Sequence, residues 1–323
     1  MANIKTRRFQ KAGIEVSEIS LGAWAIGGVR YGEVDEQNAA ETIEVFLEAG
    51  GNLIDTARMY FDSEERIGNT LEHMRNRADV VIATKTAHGN TVENVSLMRD
   101  DLEESLRKLK TDYVDIYQIH HPSDDPDVID ASLQEMIQLK AEGKIRAIGA
   151  SIKGPNVTQE TADLCRRYID TGVIDALQLI YSIFRQSNAQ VFEHAHQAGV
   201  GIIARTALES GFLTGKYDGK AKFPKGDHRT RWSSDQLRQF KEASDRIANQ
   251  FLNPPFDTLP QLAIKFSLAP AEVTTLILGA RTAAQVNRNL AAAKLPDIEP
   301  ELIGRLEEAF SGFEEVVNID ENG

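Results

Sequence analysis

Val80-Val81-Ile82-Ala83-Thr84-Lys85 is a short apolar run that closes on an amine. It has a counterpart on either side in the chain. Asn52-Leu53-Ile54-Asp55 closes on an acid, and Val114-Asp115-Ile116-Tyr117-Gln118-Ile119-His120 closes on an imidazole. Short runs rich in β-branched residues read as buried strands. If these three are successive parallel strands, Asp55, Lys85 and His120 meet at one rim of one sheet. An acid, an amine and an imidazole gathered there make a candidate catalytic site.

Five further runs begin near Glu18, Ala147, Ala176, Gly201 and Thr275, which brings the candidate strands to eight. The first seven lie about 25–35 residues apart, the length of a strand plus a crossover helix. Helical stripes fall between them. Ala40, Ile43, Leu47 and Gly50 share one face after a candidate N-cap at Asp35. Val95, Met98, Leu102, Leu106 and Leu109 form a second stripe. Ile129, Leu133, Met136, Ile137 and Lys140 form a third, with Gly143 as its stop. Strands alternating with helices predict an α/β fold, a (β/α)8 TIM barrel. The rival is a doubly wound open sheet, which usually carries a Gly-rich turn after its first strand. Here Leu21-Gly22-Ala23-Trp24-Ala25-Ile26-Gly27-Gly28 lacks the GxGxxG spacing.

Ahead of the barrel, residues 5–17 read as a small hairpin, with Thr6-Arg7-Arg8-Phe9 and Ile14-Glu15-Val16 around a turn at Lys11-Ala12-Gly13. The interval from 201 to 275 is more than twice the others. It holds Ser210-Gly211-Phe212-Leu213-Thr214-Gly215-Lys216-Tyr217, a basic polar stretch to Trp232, and helical segments near 234–251 and 259–269. The expectation is one barrel domain over 1–323. A long loop with an extra helix, about 208–251, lies between its seventh and eighth strands, and the polar tail, about 314–323, frays.

The chain has 323 residues and a formal charge of −13. That balance argues against nucleic acid or an acidic membrane as a general partner. Cys165 is the single cysteine, so no internal disulfide forms, and a reducing, cytoplasmic location is expected. The first residues, Met-Ala-Asn-Ile-Lys-Thr-Arg-Arg, carry no apolar signal region. No window approaches the roughly 18 apolar residues of a membrane span.

Tyr60 adds a fourth member to the rim. It follows Asp55 by five residues and precedes Asp62-Ser63-Glu64-Glu65, a capping-box pattern that predicts a helix start. A free phenol is a weak acid, with a pKa of about 10. An ammonium beside it favours the phenolate, an aspartate keeps that ammonium charged, and a histidine can hydrogen-bond the phenol or a substrate oxygen. Each residue alone reads as an ordinary strand-end ion pair, loop packing or a satisfied histidine. Together they make a proton donor beside a reducible carbonyl. No metal is expected at His120-His121, because strand neighbours face opposite ways and no third ligand has suitable spacing.

Asn52-Leu53-Ile54-Asp55-Thr56-Ala57-Arg58-Met59-Tyr60, Ile82-Ala83-Thr84-Lys85 and Asp115-Ile116-Tyr117-Gln118-Ile119-His120-His121-Pro122 together resemble the aldo-keto reductase superfamily. The resemblance continues through Gly149-Ala150-Ser151, Gln178, the 211–217 stretch and Gly279-Ala280-Arg281, covering about residues 6–293. It implies a (β/α)8 barrel whose bottom is closed by an N-terminal hairpin. It also implies hydride transfer between NADP(H), with NAD(H) as second candidate, and a small carbonyl or alcohol. By position Tyr60 is then the general acid, Lys85 and Asp55 tune it, and His120 orients the carbonyl. Ser151 and Gln178 fall where the nicotinamide carboxamide is bound. Leu208, Gly211 and Leu213 fall where a loop covers the pyrophosphate. Gly279, Arg281, Gln285 and Asn289 fall at the adenosine end, where a helix N-terminus plus an arginine suits a 2′-phosphate.

Three positions depart from the family pattern. Ile152 stands where many members have Asn, Arg288 where an acidic residue is usual, and Arg205 where an aromatic residue stacks on nicotinamide. A guanidinium can also stack on a flat ring. Trp24, His121 and Trp232, with Tyr60, are the candidates for lining a substrate pocket. The expected function is an NADP(H)-dependent oxidoreductase acting on an aldehyde, ketone or sugar-like carbonyl. The alternatives are a nicotinamide-binding regulatory subunit with weak turnover, and a barrel isomerase or aldolase using Lys85 as a Schiff base. The physiological substrate, the direction of reaction and the oligomeric state are not written in these motifs.

Overall fold

A computed structural model describes residues 4–28 and 34–319. Strands β1 (Thr6–Phe9) and β2 (Ile14–Ser17) pair antiparallel as a hairpin. The barrel strands are β3 (Ile19–Gly22), β4 (Leu53–Asp55), β5 (Val81–Lys85), β6 (Val114–His120), β7 (Ile145–Ser151), β8 (Ala176–Ile180), β9 (Gly201–Arg205) and β10 (Val273–Gly279). They close in the order β10-β3-β4-β5-β6-β7-β8-β9 and every neighbouring pair is parallel. The barrel expected from the sequence is therefore the one observed. Two strands start two residues ahead of the apolar runs: β7 at Ile145 and β10 at Val273.

Side chains of a strand alternate between two faces, and the two faces here go to two cores. Leu53, Val81, Ala83, Ile116, Ala147, Ala176, Ile203 and Ile277 point into the barrel and cluster with Phe9, Ile14 and Val16 of the hairpin. Ile54, Ile82, Tyr117, Ile119, Ile148, Leu177 and Leu276 belong to the larger cluster shared with the helices. The hairpin thus stoppers the barrel from below with Phe9, which is fully buried. Gly201 makes room for it, since a Cβ there would lie 2.3 Å from the Phe9 ring. Above this apolar layer the same inward period brings up Asp55, Lys85, Gln118, His120, Ser151, Gln178 and Arg205. The polar rim is a consequence of strand periodicity.

The helices form where caps and stripes place them, with shifts in the buried face. Asp35 caps helix Glu36–Glu48 by accepting from the Asn38 N–H, and the buried face is Ala39, Thr42, Ile43 and Phe46, one residue off the stripe through Ala40 and Leu47. Helix Leu97–Leu109 buries Met98, Leu102, Leu106 and Leu109 as expected. Helix Pro126–Ala141 buries Leu139, whereas Ile137 is exposed and Lys140 pairs with Asp175. Helices Ser234–Gln250 and Leu259–Leu268 fill the long interval before β10.

Two local expectations are corrected. The capping box at Asp62 does not form: helix Ser63–Met74 begins without a side-chain cap. The Ser63 hydroxyl instead bonds Thr56 Oγ1 at 2.8 Å and the Ala23 carbonyl at 3.1 Å, tying the segments after β3 and β4 together. The tail is docked rather than frayed as far as residue 319. Glu314 accepts from the backbone N–H groups of Gln186 (2.6 Å) and Ser187 (2.8 Å), and Val317 is fully buried. Residues 320–323 of that tail lie outside the described residues. Among the described residues no helix is long and apolar enough to cross a membrane.

Candidate active site

Lys85 anchors the rim. Its side chain is fully buried, and Nζ donates to Asp55 Oδ1 (2.8 Å), Asp55 Oδ2 (2.7 Å) and the Thr56 carbonyl (2.7 Å). An ammonium has three donors, so this set satisfies it completely. A buried charge demands that, because an unpaired one costs several kcal/mol. Asp55 in turn accepts at Oδ1 from Gln178 Nε2 (2.7 Å) and Gln118 Nε2 (3.3 Å). Gln178 also donates to Gln118 Oε1 at 3.2 Å, and Ser151 Oγ donates to Gln178 Oε1 at 3.1 Å. Strand register produces this chain of contacts: Lys85 pairs with Gln118, His120 with Ser151, and Ser151 with Gln178. Gln118 was not singled out from sequence, although it lies two residues before His120 on the same inward face.

Tyr60 comes to the rim on a turn rather than a strand. Its N–H donates to the Ala57 carbonyl (2.9 Å) and its carbonyl accepts from Ser63 N–H (3.0 Å). Gly27 permits the close approach of the preceding loop, since a Cβ there would meet the Tyr60 carbonyl oxygen at 2.3 Å. The half-buried ring has Lys85 Nζ 5.0 Å from its centre, His120 edge-on at 5.9 Å and Trp24 at 6.2 Å. The four residues expected to act together do converge.

Burial, reinforced by the charges of Lys85 and Arg205 and by His121 once that ring is protonated, pushes the His120 imidazole down to about 2. His121 is held at about 4 by the loss of hydration at the crowded rim, then by Arg205 and Lys153. Both rings are therefore neutral near pH 7. His120 Nδ1 is buried and has no hydrogen-bond partner in the structure. The opposite-face expectation for His121 fails, because β6 ends at His120 and His121 turns into the left-handed region at φ 56°. The two rings lie side by side, 4.2 Å apart. Among the described residues no group of three or more His, Cys, Asp or Glu is placed to hold a metal ion.

The candidate substrate residues separate. Trp24 touches the Tyr60 ring and also His228, at 5.0 Å. Trp232 sits behind His228 at 6.3 Å, packed on Phe212 and Phe240, with its indole N–H given to the Val317 carbonyl at 2.8 Å. His228 had no sequence signal, since it is one residue in a basic loop with no period to read.

The candidate cofactor residues occupy the same rim. Ser151 spends its one donor on Gln178, and Gln178 spends both amide hydrogens on Asp55 and Gln118. What remains on both is acceptor capacity, which fits the two N–H groups of a primary carboxamide. Arg205 is half-buried on the next strand and donates to the Ile152 carbonyl at 2.8 Å, so two of the three departures from the family pattern are in contact. Burial works against its positive charge. After β9 the backbone turns left-handed repeatedly, at Thr206 (φ 72°), Glu209 (47°), Ser210 (54°), Gly211 (97°) and Gly215 (73°). The Leu208 carbonyl accepts from the N–H groups of Gly211 and Leu213, and the Leu213 side chain is core. Turns of this kind present N–H groups to an anion. Gly279, the last residue of β10, is exposed; beyond it Arg281 N–H donates to Gln285 Oε1 (2.7 Å), and Asn289 Nδ2 reaches the Gly279 carbonyl at 3.5 Å. Thr282 caps helix Ala283–Ala293 through the Gln285 N–H, leaving that helix N-terminus beside Arg281.

A family model described as the aldo/keto reductase family matches residues 18–310. An aldo-keto reductase of Bacillus subtilis is 36% identical over 244 residues, covering 71% of this chain and 70% of the relative. An NADH-specific methylglyoxal reductase of Escherichia coli is 31% identical over 330 residues, covering 92% and 96%. Among solved structures, a glycerol dehydrogenase from Gluconobacter oxydans superposes with a TM-score of 0.77 at 27% identity, covering 96% of this chain and 97% of that one.

Proposed function

Because the chain belongs to the aldo/keto reductase family of oxidoreductases, we propose that it is an NADP(H)-dependent reductase of small aldehydes, ketones or sugar-like carbonyls, with Tyr60 as proton donor. The observation that carries this reading is Lys85: a fully satisfied, buried ammonium set against the face of a phenol that is itself in contact with a neutral histidine.

The residues divide the work as follows. Ser151 and Gln178 hold the nicotinamide carboxamide through their remaining acceptor positions. Residues 206–214 meet the pyrophosphate with backbone N–H groups, and Arg281 with the following helix N-terminus meets the adenosine 2′-phosphate. When bound, the nicotinamide supplies a hydride to the carbonyl carbon. Tyr60 gives its proton to the carbonyl oxygen, and the Lys85 charge stabilises the phenolate left behind. His120, neutral, has one ring N–H to offer the same oxygen and so orients the carbonyl. Asp55 keeps Lys85 charged and in place, and Gln118 and Gln178 fix Asp55. Trp24 and His121 border the mouth, where the substrate's remaining groups lie. Arg281 supports NADP(H) as the preferred cofactor, with NAD(H), the cofactor named for the E. coli relative, as the competitor.

The test is steady-state oxidation of NADPH and of NADH against a panel of simple aldehydes, ketones and sugars. Turnover with NADPH is expected for at least one aldehyde. Tight dinucleotide binding with no turnover across the panel would instead favour a nicotinamide-binding regulatory subunit.

A further inference from the structure

Arg185 and Glu209 form an ion pair that the proposed chemistry does not use. Their side chains are 1% and 2% exposed. The pairing is bidentate: Nε donates to Glu209 Oε1 at 3.1 Å and Nη2 to Oε2 at 2.5 Å. Arg185 Nη1 also donates to the Pro155 carbonyl, and Ser182 Oγ donates to Glu209 Oε1. Pro155 follows β7, Ser182 and Arg185 follow β8, and Glu209 follows β9. One guanidinium therefore ties together the three segments that leave the rim after Ser151, Gln178 and Arg205.

A buried ion pair of this kind adds little stability over apolar residues of similar size, because desolvation offsets the attraction. What it does supply is a single fixed arrangement. The backbone it fixes is unfavourable by itself, since Glu209 and Ser210 are both left-handed non-glycine residues, whose Cβ crowds the neighbouring carbonyl. Glu209 also brings a carboxylate into a segment read as receiving phosphate. Arg185 cancels that charge and holds it on the side facing β7 and β8.

We propose that Arg185 and Glu209 are a positioning pair that presets residues 206–214 for the phosphates of a dinucleotide. This rests on the reading of 206–214 as the cofactor loop. Neither residue touches the reacting atoms, so the pair acts on cofactor affinity and leaves the chemical step alone.

The main variant is the double substitution Arg185→Met with Glu209→Met, which removes both charges without stranding either. It is expected to fold with a thermal midpoint near that of the unaltered protein. NADPH binding should be about tenfold weaker because the loop must be ordered on binding. In the cofactor-free double variant, amide hydrogen exchange across 206–214 should be about tenfold faster. A folded double variant with unchanged NADPH affinity and unchanged exchange overturns the proposal. If the double variant does not fold, Glu209→Gln decides: it keeps size and one acceptor, and faster exchange confined to 206–214 supports the pair's role while unchanged exchange overturns it. If the unaltered protein binds neither NADPH nor NADH, the cofactor reading fails separately, and the exchange measurement still reports on the pair.

Discussion

The Lys85 ammonium lies 5.0 Å from the centre of the Tyr60 ring, and all three of its hydrogens are committed elsewhere, to Asp55 and the Thr56 carbonyl. Lys85 is thus neither a proton donor nor a nucleophile in this arrangement. It is a fixed positive charge placed against a phenol. That geometry disfavours a Schiff-base role, which needs a free amine facing the substrate.

Lys85→Met should therefore fail in two separable ways. It strands Asp55 in a buried site, and breaking a buried pair costs about 3–5 kcal/mol. Adding Asp55→Asn should recover most of that stability without recovering turnover. Denaturant unfolding and steady-state rates check the two halves, and a single variant that retains normal turnover would remove Lys85 from the mechanism.

The two neutral histidines set a pH dependence. Below about pH 6.5 an unfolded chain protonates its histidines, while in the native protein His121 waits until about 4 and His120 until about 2. The unfolded state then binds more protons, so native stability falls as pH drops from 6.5 toward 4. His120, the more enclosed ring, should contribute up to about 1.4 kcal/mol per pH unit. Thermal midpoints measured from pH 7 to pH 4.5 should decline, and His120→Asn should flatten the decline. The same neutrality means that kcat/KM should show no histidine break near pH 6.5.

Arg281 stands beside the N-terminus of helix Ala283–Ala293, with its own N–H held by Gln285. A charge-assisted contact to phosphate contributes about 1.5–3 kcal/mol. Arg281→Ala should thus weaken NADPH binding by roughly tenfold or more, with NADH binding little changed. Fluorescence titration of both cofactors reads the ratio, and an unchanged ratio would mean that Arg281 does not contact the 2′-phosphate.

Glu314 tests the docked tail. One of its carboxylate oxygens accepts from two backbone N–H groups and the Ser187 hydroxyl. Glu314→Ala leaves those donors without their acceptor and should destabilise the protein by about 2 kcal/mol. Catalytic constants at low temperature should be unaffected.

Much of this architecture was legible because strands announce themselves by period and length. All eight barrel strands, the hairpin, and Asp55, Lys85 and His120 followed from apolar runs and their ends. Gln118 was legible in principle, since the alternation that places His120 inside also places Gln118 inside. Other features were not. The left-handed turn at His121 overrode the strand rule, and no residue before it signals the change. Ser63 reads as part of a cap but serves as a cross-loop bond. The docking of 314–319 and the Arg185–Glu209 pair depend on partners more than 20 residues away in the chain, which local periodicity does not encode. Trp232 was an aromatic residue in a long loop, and only tertiary packing distinguishes a pocket wall from the layer behind it.

The most direct measurement is reduction of an accepted aldehyde by Tyr60→Phe, with NADPH binding followed in the same preparation. The substitution removes only the phenolic oxygen and its proton. Loss of reduction by about a hundredfold or more, with NADPH affinity within about twofold of the unaltered protein, is the expected result. Reduction at an unchanged rate would contradict the assignment of Tyr60 as proton donor and, with it, the role given to Lys85.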